Sequence, residues 1–234
     1  MNFLKTVGQS PVGSLLKKAA FKTGLLHHIP VADQINWKFR FIDFTKSVRP
    51  IDLHANREDL YATINTESFH HGREAVDYLE FGVFEGQSIR TWSRLNCNPQ
   101  SRFVGFDSFE GLPEHWTEDR PKGFFATRTV PKIDDERVSF EVGWFQASLP
   151  PFLKTFEPAS SLVVHIDCDL YSSTLFALTQ LNSVMRSGTV VIFDEFYYAE
   201  HEFRALLDYC AAYMREFVLI GATKGFGQVA IRLV

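Results

Sequence analysis

Two apolar runs, Leu162-Val163-Val164-His165-Ile166 and Thr189-Val190-Val191-Ile192-Phe193, each lead directly into acids. Asp167 and Asp169 follow the first; Asp194 and Glu195 follow the second. Neither run alternates polar with apolar residues, which is the pattern of central parallel strands covered on both faces. The stretch Ser172–Met185 between them reads as a helix. Strand, helix, strand in that order requires a crossover, so the fold class narrows to α/β. Parallel neighbours that both end in acids place these carboxylates at one sheet edge, where open α/β folds hold their ligands. Such a cluster repels itself unless a cation or protons occupy it.

The alternation extends over most of the chain. Val76–Phe81, Arg102–Phe106 and Val138–Val142 are further strand candidates, and Gln87–Leu95 is a helix with Ile89, Trp92 and Leu95 at helical spacing. Phe217–Ile220 and Gln228–Ile231 flank a Gly-containing turn and read as an antiparallel pair that completes the sheet. The expectation is a doubly wound, mostly parallel sheet of seven strands over residues 76–234. Residues 1–75 read as a helical N-terminal extension or lid, with helix-like spacing at 57–64. Residues 109–137 form a long loop with Gly111, Pro113, Pro121 and Gly123, the composition and length of a lid. Its Phe-rich part, with Phe124 and Phe125, is expected to close over a site.

Charge and cysteine usage exclude several classes. A net charge of -4 gives no electrostatic case for nucleic acid as a partner. No apolar run approaches the roughly 20 residues that span a bilayer. Cys97, Cys168 and Cys210 are widely spaced and odd in number, which fits a reducing, cytoplasmic compartment and no zinc pair. Lys5, Lys17, Lys18 and Lys22 precede the first acid, Asp33. This start mimics a transit peptide, and we read it as a basic helical arm that packs on the core or on another subunit.

Where the first strand meets its helix stands Glu80-Phe81-Gly82-Val83-Phe84-Glu85-Gly86. The spacing G-x-x-x-G, with Phe84 in place of a glycine, departs from the dinucleotide pattern, so a nicotinamide-dependent oxidoreductase is disfavoured. Asp107 ends the second strand 21 residues after Gly86 (107 − 86) and can accept both ribose hydroxyls. A ribose acid without a pyrophosphate turn suits a nucleoside such as S-adenosylmethionine, whose ammonium group suits Glu80. The carboxylates Asp167, Asp169, Asp194 and Glu195 are hard oxygen ligands suited to Mg²⁺, Ca²⁺ or Mn²⁺. Some of them can instead cap the helices that follow, Asp169 above all, with Ser172 and Ser173 close behind. A general base is wanted for hydroxyl chemistry. Asp167, Asp169, His70 and His71 are the candidates, with His115 in the long loop carrying the same ambiguity, and the sequence does not choose among them. His165 reads as a hydrogen-bonded core histidine, and Cys168 as a packing residue.

These motifs, with Phe103–Pro113, Gly143-Trp144-Phe145-Gln146, His165–Thr174 and Phe193–Phe196 in order, resemble the macrocin O-methyltransferase (TylF-like) family of class I methyltransferases. The resemblance runs from about residue 76 to the C-terminus. It implies S-adenosylmethionine and a divalent metal, usually Mg²⁺. It further implies Asp167, Asp194 and Glu195 as metal ligands. Glu80, Gly82, Gly86 and Ser88 would meet the methionine part, Asp107 and Ser108 the ribose, and Trp144 the adenine, with Asp167 near the cofactor as well. The implied acceptor is a hydroxylated small molecule, a sugar or glycoside, and the implied assembly a homodimer or homotetramer. A non-catalytic nucleoside-binding or scaffold protein on the same fold is the rival reading.

Overall fold

In the computed structural model of the chain, residues 30–48, 51 and 53–234 are described. The basic arm expected at the N-terminus lies outside them. Contacts divide the chain into two compact units, Met1–Arg49 and Pro50–Val234. In the first, helix α1 (Pro30–Ser47) begins with proline, carries Asp33 in its first turn and Lys46 in its last. That placement complements the helix dipole at both ends.

The second unit holds one sheet of eight strands: β1 (Leu53–His54), β2 (Val76–Phe81), β3 (Arg102–Asp107), β4 (Val138–Val142), β5 (Ser161–Ile166), β6 (Val190–Phe193), β7 (Phe217–Thr223) and β8 (Val229–Leu233). Their order is β1-β7-β8-β6-β5-β2-β3-β4. All neighbouring pairs are parallel except those of β8 with β6 and β7. The sheet is therefore mostly parallel, as expected. The difference from the expected seven strands is β1, two residues long and too short to show a period. Strands β2 to β6 agree with the sequence reading to within one residue at each end, while β7 runs three residues and β8 two residues past their expected ends.

Helices α2 (Arg57–Ser68), α3 (Gln87–Leu95), α4 (Phe145–Leu153), α5 (Tyr171–Leu181) and α6 (Glu202–Tyr213) cover the sheet. Asn56 caps α2 by accepting the Asp59 N–H at 2.8 Å. Helix α2 buries Leu60, Tyr61 and Ile64 in the core cluster with Tyr78, Trp92, Phe103, Val163 and Ile192. It packs on α3 and β7 and so belongs to the sheet's own core. Helix α4 was not apparent in the sequence because it contains Pro150 and Pro151, residues that normally end a helix.

The chain turns in opposite directions from β2. Strands β3 and β4 lie on one side; β5 and β6 lie on the other. The C-terminal ends of β2 and β5 therefore flank the crevice at the switch point.

Candidate active site

Strand register assembles the site. Phe81 pairs with Ile166, and Ile166 with Phe193. The backbone ladder continues one step, from Asp167 N to Phe81 O at 2.8 Å and from Asp194 N to Ile166 O at 2.9 Å. Gly82, Asp167 and Asp194 thus follow their strands side by side. Gly82 has φ +92°, and a Cβ there would lie 1.8 Å from the Asp167 carbonyl oxygen. Only glycine lets these two strand ends approach so closely.

Beyond Gly82 the chain closes a tight turn on Asp107. Asp107 Oδ2 accepts the N–H groups of Val83 at 2.8 Å and Phe84 at 2.9 Å, and Oδ1 accepts that of Phe109 at 2.7 Å. Asp107 still lines the cavity, and it also joins the glycine turn to the start of the long loop. Gly86, at φ +74°, precedes α3 without a side-chain cap. Ser88 lines the cavity and donates to Glu80 Oε1 at 2.8 Å. Glu80 itself is fully buried beneath the cavity wall. Its Oε2 accepts the Tyr78 hydroxyl. Since Tyr78 has one proton and gives it to Glu80, its oxygen accepts from His165 Nδ1 at 2.6 Å. That assignment leaves His165 Nε2 as the acceptor facing the Tyr61 hydroxyl at 3.3 Å. His165 is thus a buried, hydrogen-bonded histidine.

The acids form two overlapping groups that share Asp167. His165, Asp167 and Asp194 offer ligand atoms within 4.8 Å of one another, as do Asp167, Asp169 and Glu195. Asp169 has φ +62° and Glu195 φ +41°, a left-handed backbone that is costly for non-glycine residues and concentrates at functional sites. Asp194 is fully buried. Its Oδ1 accepts from Gln228 Nε2 and from the Glu195 N–H. Its Oδ2 has no hydrogen bond; Arg57 Nη1 lies 3.0 Å away as an ion pair, and 3.8 Å from Asp167 Oδ2.

Electrostatics records the crowding. Burial, then the charges of Asp194, Glu195 and Asp169, pushes the Asp167 carboxyl well above its ordinary range. Burial and Glu195 push Asp169 up to about 8, and burial and Asp194 push Glu195 up to about 7. Glu202, at the start of α6, is buried with neither carboxylate oxygen hydrogen-bonded, and is likewise pushed up by burial and by Asp167. Burial opposes the Arg57 charge, but Asp194 and the neighbouring acids outweigh it and hold the guanidinium above its ordinary value. The group of Asp167, Asp169 and Glu195 is oxygen-only, and with the unbonded buried Asp194 Oδ2 beside Asp167 it fits a hard divalent cation. Among the described residues no ligand set of the paired Cys or His type occurs.

A cavity of about 320 Å³ opens over these residues. Gly82, Ser88, Asp107, Ser108, Trp144, Asp167, Asp169 and Glu195 all line it, so the structure brings most of the expected site residues together. Trp144 reaches it from the residue before α4. The long loop forms a wall: Phe125 packs edge-on against Phe84 at 5.6 Å, and Trp116 against Tyr198 at 4.9 Å. Within it the Leu112 N–H donates to the Phe124 carbonyl and the Gly123 N–H to the Leu112 carbonyl, both at 2.9 Å, and Glu114 accepts the Ser172 hydroxyl at 2.5 Å.

Two expectations meet a different geometry. His70 and His71 are exposed in the turn before β2 and do not line the cavity. The six residues of β2 separate that turn from the site, roughly 20 Å of strand, so neither imidazole reaches it. Asp169 does not cap α5: Leu170 holds the N-cap position, with no side-chain cap. The left-handed turn at Asp169 aims its carboxylate at the cluster instead. Arg57, Tyr61, Gln228 and Glu202 were missed by the sequence reading. The helix pattern at 57–64 was visible, but nothing local marks Arg57 as the neighbour of an acid 137 positions on (194 − 57).

Comparison with known proteins adds independent findings. Residues 59–215 match the family model described as macrocin-O-methyltransferase (TylF). The 8-demethyl-8-(2,3-dimethoxy-alpha-L-rhamnosyl)-tetracenomycin-C 4'-O-methyltransferase of Streptomyces olivaceus is 30% identical over 142 residues. That match covers 51% of this chain and 52% of the relative, so the chain spans about half the length of the curated relative it matches. Among solved structures, the O-methyltransferase NovP is 24% identical, covers 75% of this chain and 78% of its own, and has a TM-score of 0.57. The calicheamicin methyltransferase CalS11 is 19% identical, covers 96% and 93%, and has a TM-score of 0.58. At these identities the structures establish the shared fold.

Proposed function

The chain belongs to the macrocin O-methyltransferase (TylF) family, and from that premise we propose that it transfers a methyl group from S-adenosylmethionine to a hydroxyl of a sugar or glycoside, assisted by a divalent cation. One observation carries this reading: three carboxylates, Asp167, Asp169 and Glu195, line the cavity that the glycine turn and Asp107 also line, and the buried Asp194 offers an oxygen within 4.8 Å of Asp167.

The chain's residues divide the work. Gly82 and the first turn of α3, with Ser88, form the end suited to the methionine part of the cofactor. Asp107 and Ser108 suit the ribose, and Trp144 offers a flat face for the adenine. Glu80 acts from beneath by fixing Ser88, and adds negative charge below the ammonium position. Asp167, Asp194 and Glu195 would hold Mg²⁺ or Mn²⁺, which when bound lowers the pKa of a coordinated hydroxyl. Asp169, with its carboxyl at about 8 and its side chain in the cluster, is the residue best placed to take the acceptor proton. Phe84, Phe125 and Trp116 exclude water from the transfer. Arg57, at the start of α2, reaches the cavity as well.

The Streptomyces olivaceus relative is named for a rhamnosyl glycoside, which supports a glycosidic acceptor. The exposed stripe Ile35, Phe39 and Ile42 on α1 supports a homo-oligomer. All three cysteines are free, in keeping with a cytoplasmic setting. No helix of the described residues is long and apolar enough to cross a membrane.

The test is calorimetric titration with S-adenosylmethionine, followed by methyl transfer from labelled cofactor to a panel of rhamnosyl and other glycosides, with Mg²⁺ and with chelator. Cofactor binding and Mg²⁺-dependent labelling of a glycoside are expected. Absence of cofactor binding overturns the reading; undiminished transfer in chelator removes the cation from it.

A further inference from the structure

Resting on the divalent-cation part of the reading above, we infer that Arg57 competes with the metal for Asp194 Oδ2, so that cation loading requires the guanidinium to swing away.

The argument starts with the two oxygens of Asp194. Oδ1 is committed to Gln228 Nε2 and the Glu195 N–H. Rotating the carboxylate to offer Oδ1 elsewhere would break both bonds inside the buried strand end. Oδ2 is therefore the oxygen open to a cation, and it is the one that Arg57 Nη1 faces at 3.0 Å. The same guanidinium nitrogen lies 3.8 Å from Asp167 Oδ2. Arg57 thus spans Asp194 and Asp167, two of the carboxylates that would hold the cation.

Both cations cannot be held at once. A divalent ion sits about 2.0–2.6 Å from its oxygens and brings its own shell of ligands. A guanidinium on the same buried oxygen would clash with that shell, and repulsion between the charges is weakly screened where water is excluded. Helix α2 itself stays fixed, since Asn56 caps it and Leu60, Tyr61 and Ile64 are buried. The Arg57 side chain is about a third exposed, at 35%, and lines the cavity. It can turn into the cavity while its backbone remains in place. Arg57 thereby lowers the metal affinity of the acid cluster, and the first turn of α2 becomes part of the metal equilibrium.

Mn²⁺ is the probe, and the full-length chain without cofactor is the sample, at pH 8. Free Mn²⁺ is followed by electron paramagnetic resonance. Arg57→Gln is expected to bind Mn²⁺ about 5- to 100-fold tighter than the unaltered chain, the range of a coupling between two ligands. Arg57→Lys, which keeps the charge, is expected to stay within about threefold. A second measurement needs no variant. Modification of Arg57 by phenylglyoxal, mapped by mass spectrometry, is expected to rise when Mn²⁺ is added. Equal or weaker Mn²⁺ binding by Arg57→Gln, or modification that Mn²⁺ leaves unchanged or reduces, overturns the competition. Absence of Mn²⁺ binding in both proteins, with S-adenosylmethionine still bound, overturns the competition too, and places the fault in the cation reading.

Discussion

Two fully buried aspartates stand at opposite edges of the same sheet. Asp77, near the start of β2, has every oxygen occupied: Oδ1 accepts from Arg102 Nε at 2.6 Å, and Oδ2 from the N–H groups of Ala159 at 2.8 Å and Ser160 at 3.0 Å. Asp194, just past β6, satisfies Oδ1 alone and leaves Oδ2 to an ion pair. Asp77 has one charged partner and no acidic neighbour in its hydrogen-bond set. Asp194 belongs to a group with Asp167 and lies beside Glu195. A buried charge that is fully paired holds a fold in register, whereas one left partly unpaired costs stability and persists where chemistry uses it. The contrast therefore separates a structural edge from a working edge.

The largest effect is expected at the working edge. Asp194→Asn is predicted to lower kcat/KM by about 10³-fold, the scale of losing one preorganised charge at the reacting centre. Its melting temperature in chelator should stay within a few degrees of the unaltered chain, because the substitution also relieves repulsion. Steady-state kinetics and thermal unfolding of the same sample check the pair of outcomes. Strong destabilisation would make Asp194 a second Asp77 and erase the distinction.

Asp77→Asn should show the reverse. It removes the charge facing Arg102, and is predicted to cost about 2 kcal/mol in denaturant unfolding. The kcat/KM per folded molecule should change by less than about threefold. A large loss of turnover at unchanged stability would show that the two edges are not functionally separate.

This edge-to-edge contrast explains what the sequence made legible. The strands were readable because burial on both faces leaves no polar residue to disguise them, as in Leu162–Val164 and Val190–Phe193. Asp167, Asp194 and Glu195 were readable because an acid directly after such a strand is a local signal. The partners were not. Arg57, Tyr61 and Gln228 reach the cluster through contacts between segments far apart in the chain, and no local pattern encodes those. For Asp169 a cap and a catalytic role stayed open, because Ser172 and Ser173 mimic a helix start, while the feature that removes the cap is its left-handed backbone. Asp77 left no mark at all: inside a strand, a satisfied buried aspartate looks like a lapse in the apolar pattern.

Asp107 lies between these extremes, at the cofactor end of the working edge, yet with three backbone N–H groups on its carboxylate. Asp107→Ala is predicted to weaken S-adenosylmethionine binding by about 10-fold or more and to destabilise the chain by about 1–2 kcal/mol. Calorimetry and denaturant unfolding read the two effects. Mn²⁺ binding should change little, since the cation end draws on other residues. A comparable loss of both ligands would mean that the cavity is one cooperative unit.

The smallest effect is a pH dependence confined to the acid cluster. Asp169 titrates near 8 and Glu195 near 7 in the folded chain, against about 4 when unfolded. Between those values the folded state binds more protons than the unfolded state, so its stability falls as pH rises from about 5 to about 8. In chelator, unfolding free energy attributable to this cluster should be lower at pH 8.5 than at pH 5.5. Asp169→Asn should reduce that slope, since the amide has no proton to lose. Mg²⁺ should reduce it as well, by binding the ionised folded form. Asp77→Asn should leave the slope unchanged, because the residue lies at the far edge. If the slope follows Asp77 instead, the unpaired carboxylates are not where the protons reside, and the assignment of the working edge to Asp167, Asp169, Asp194 and Glu195 fails on its electrostatics.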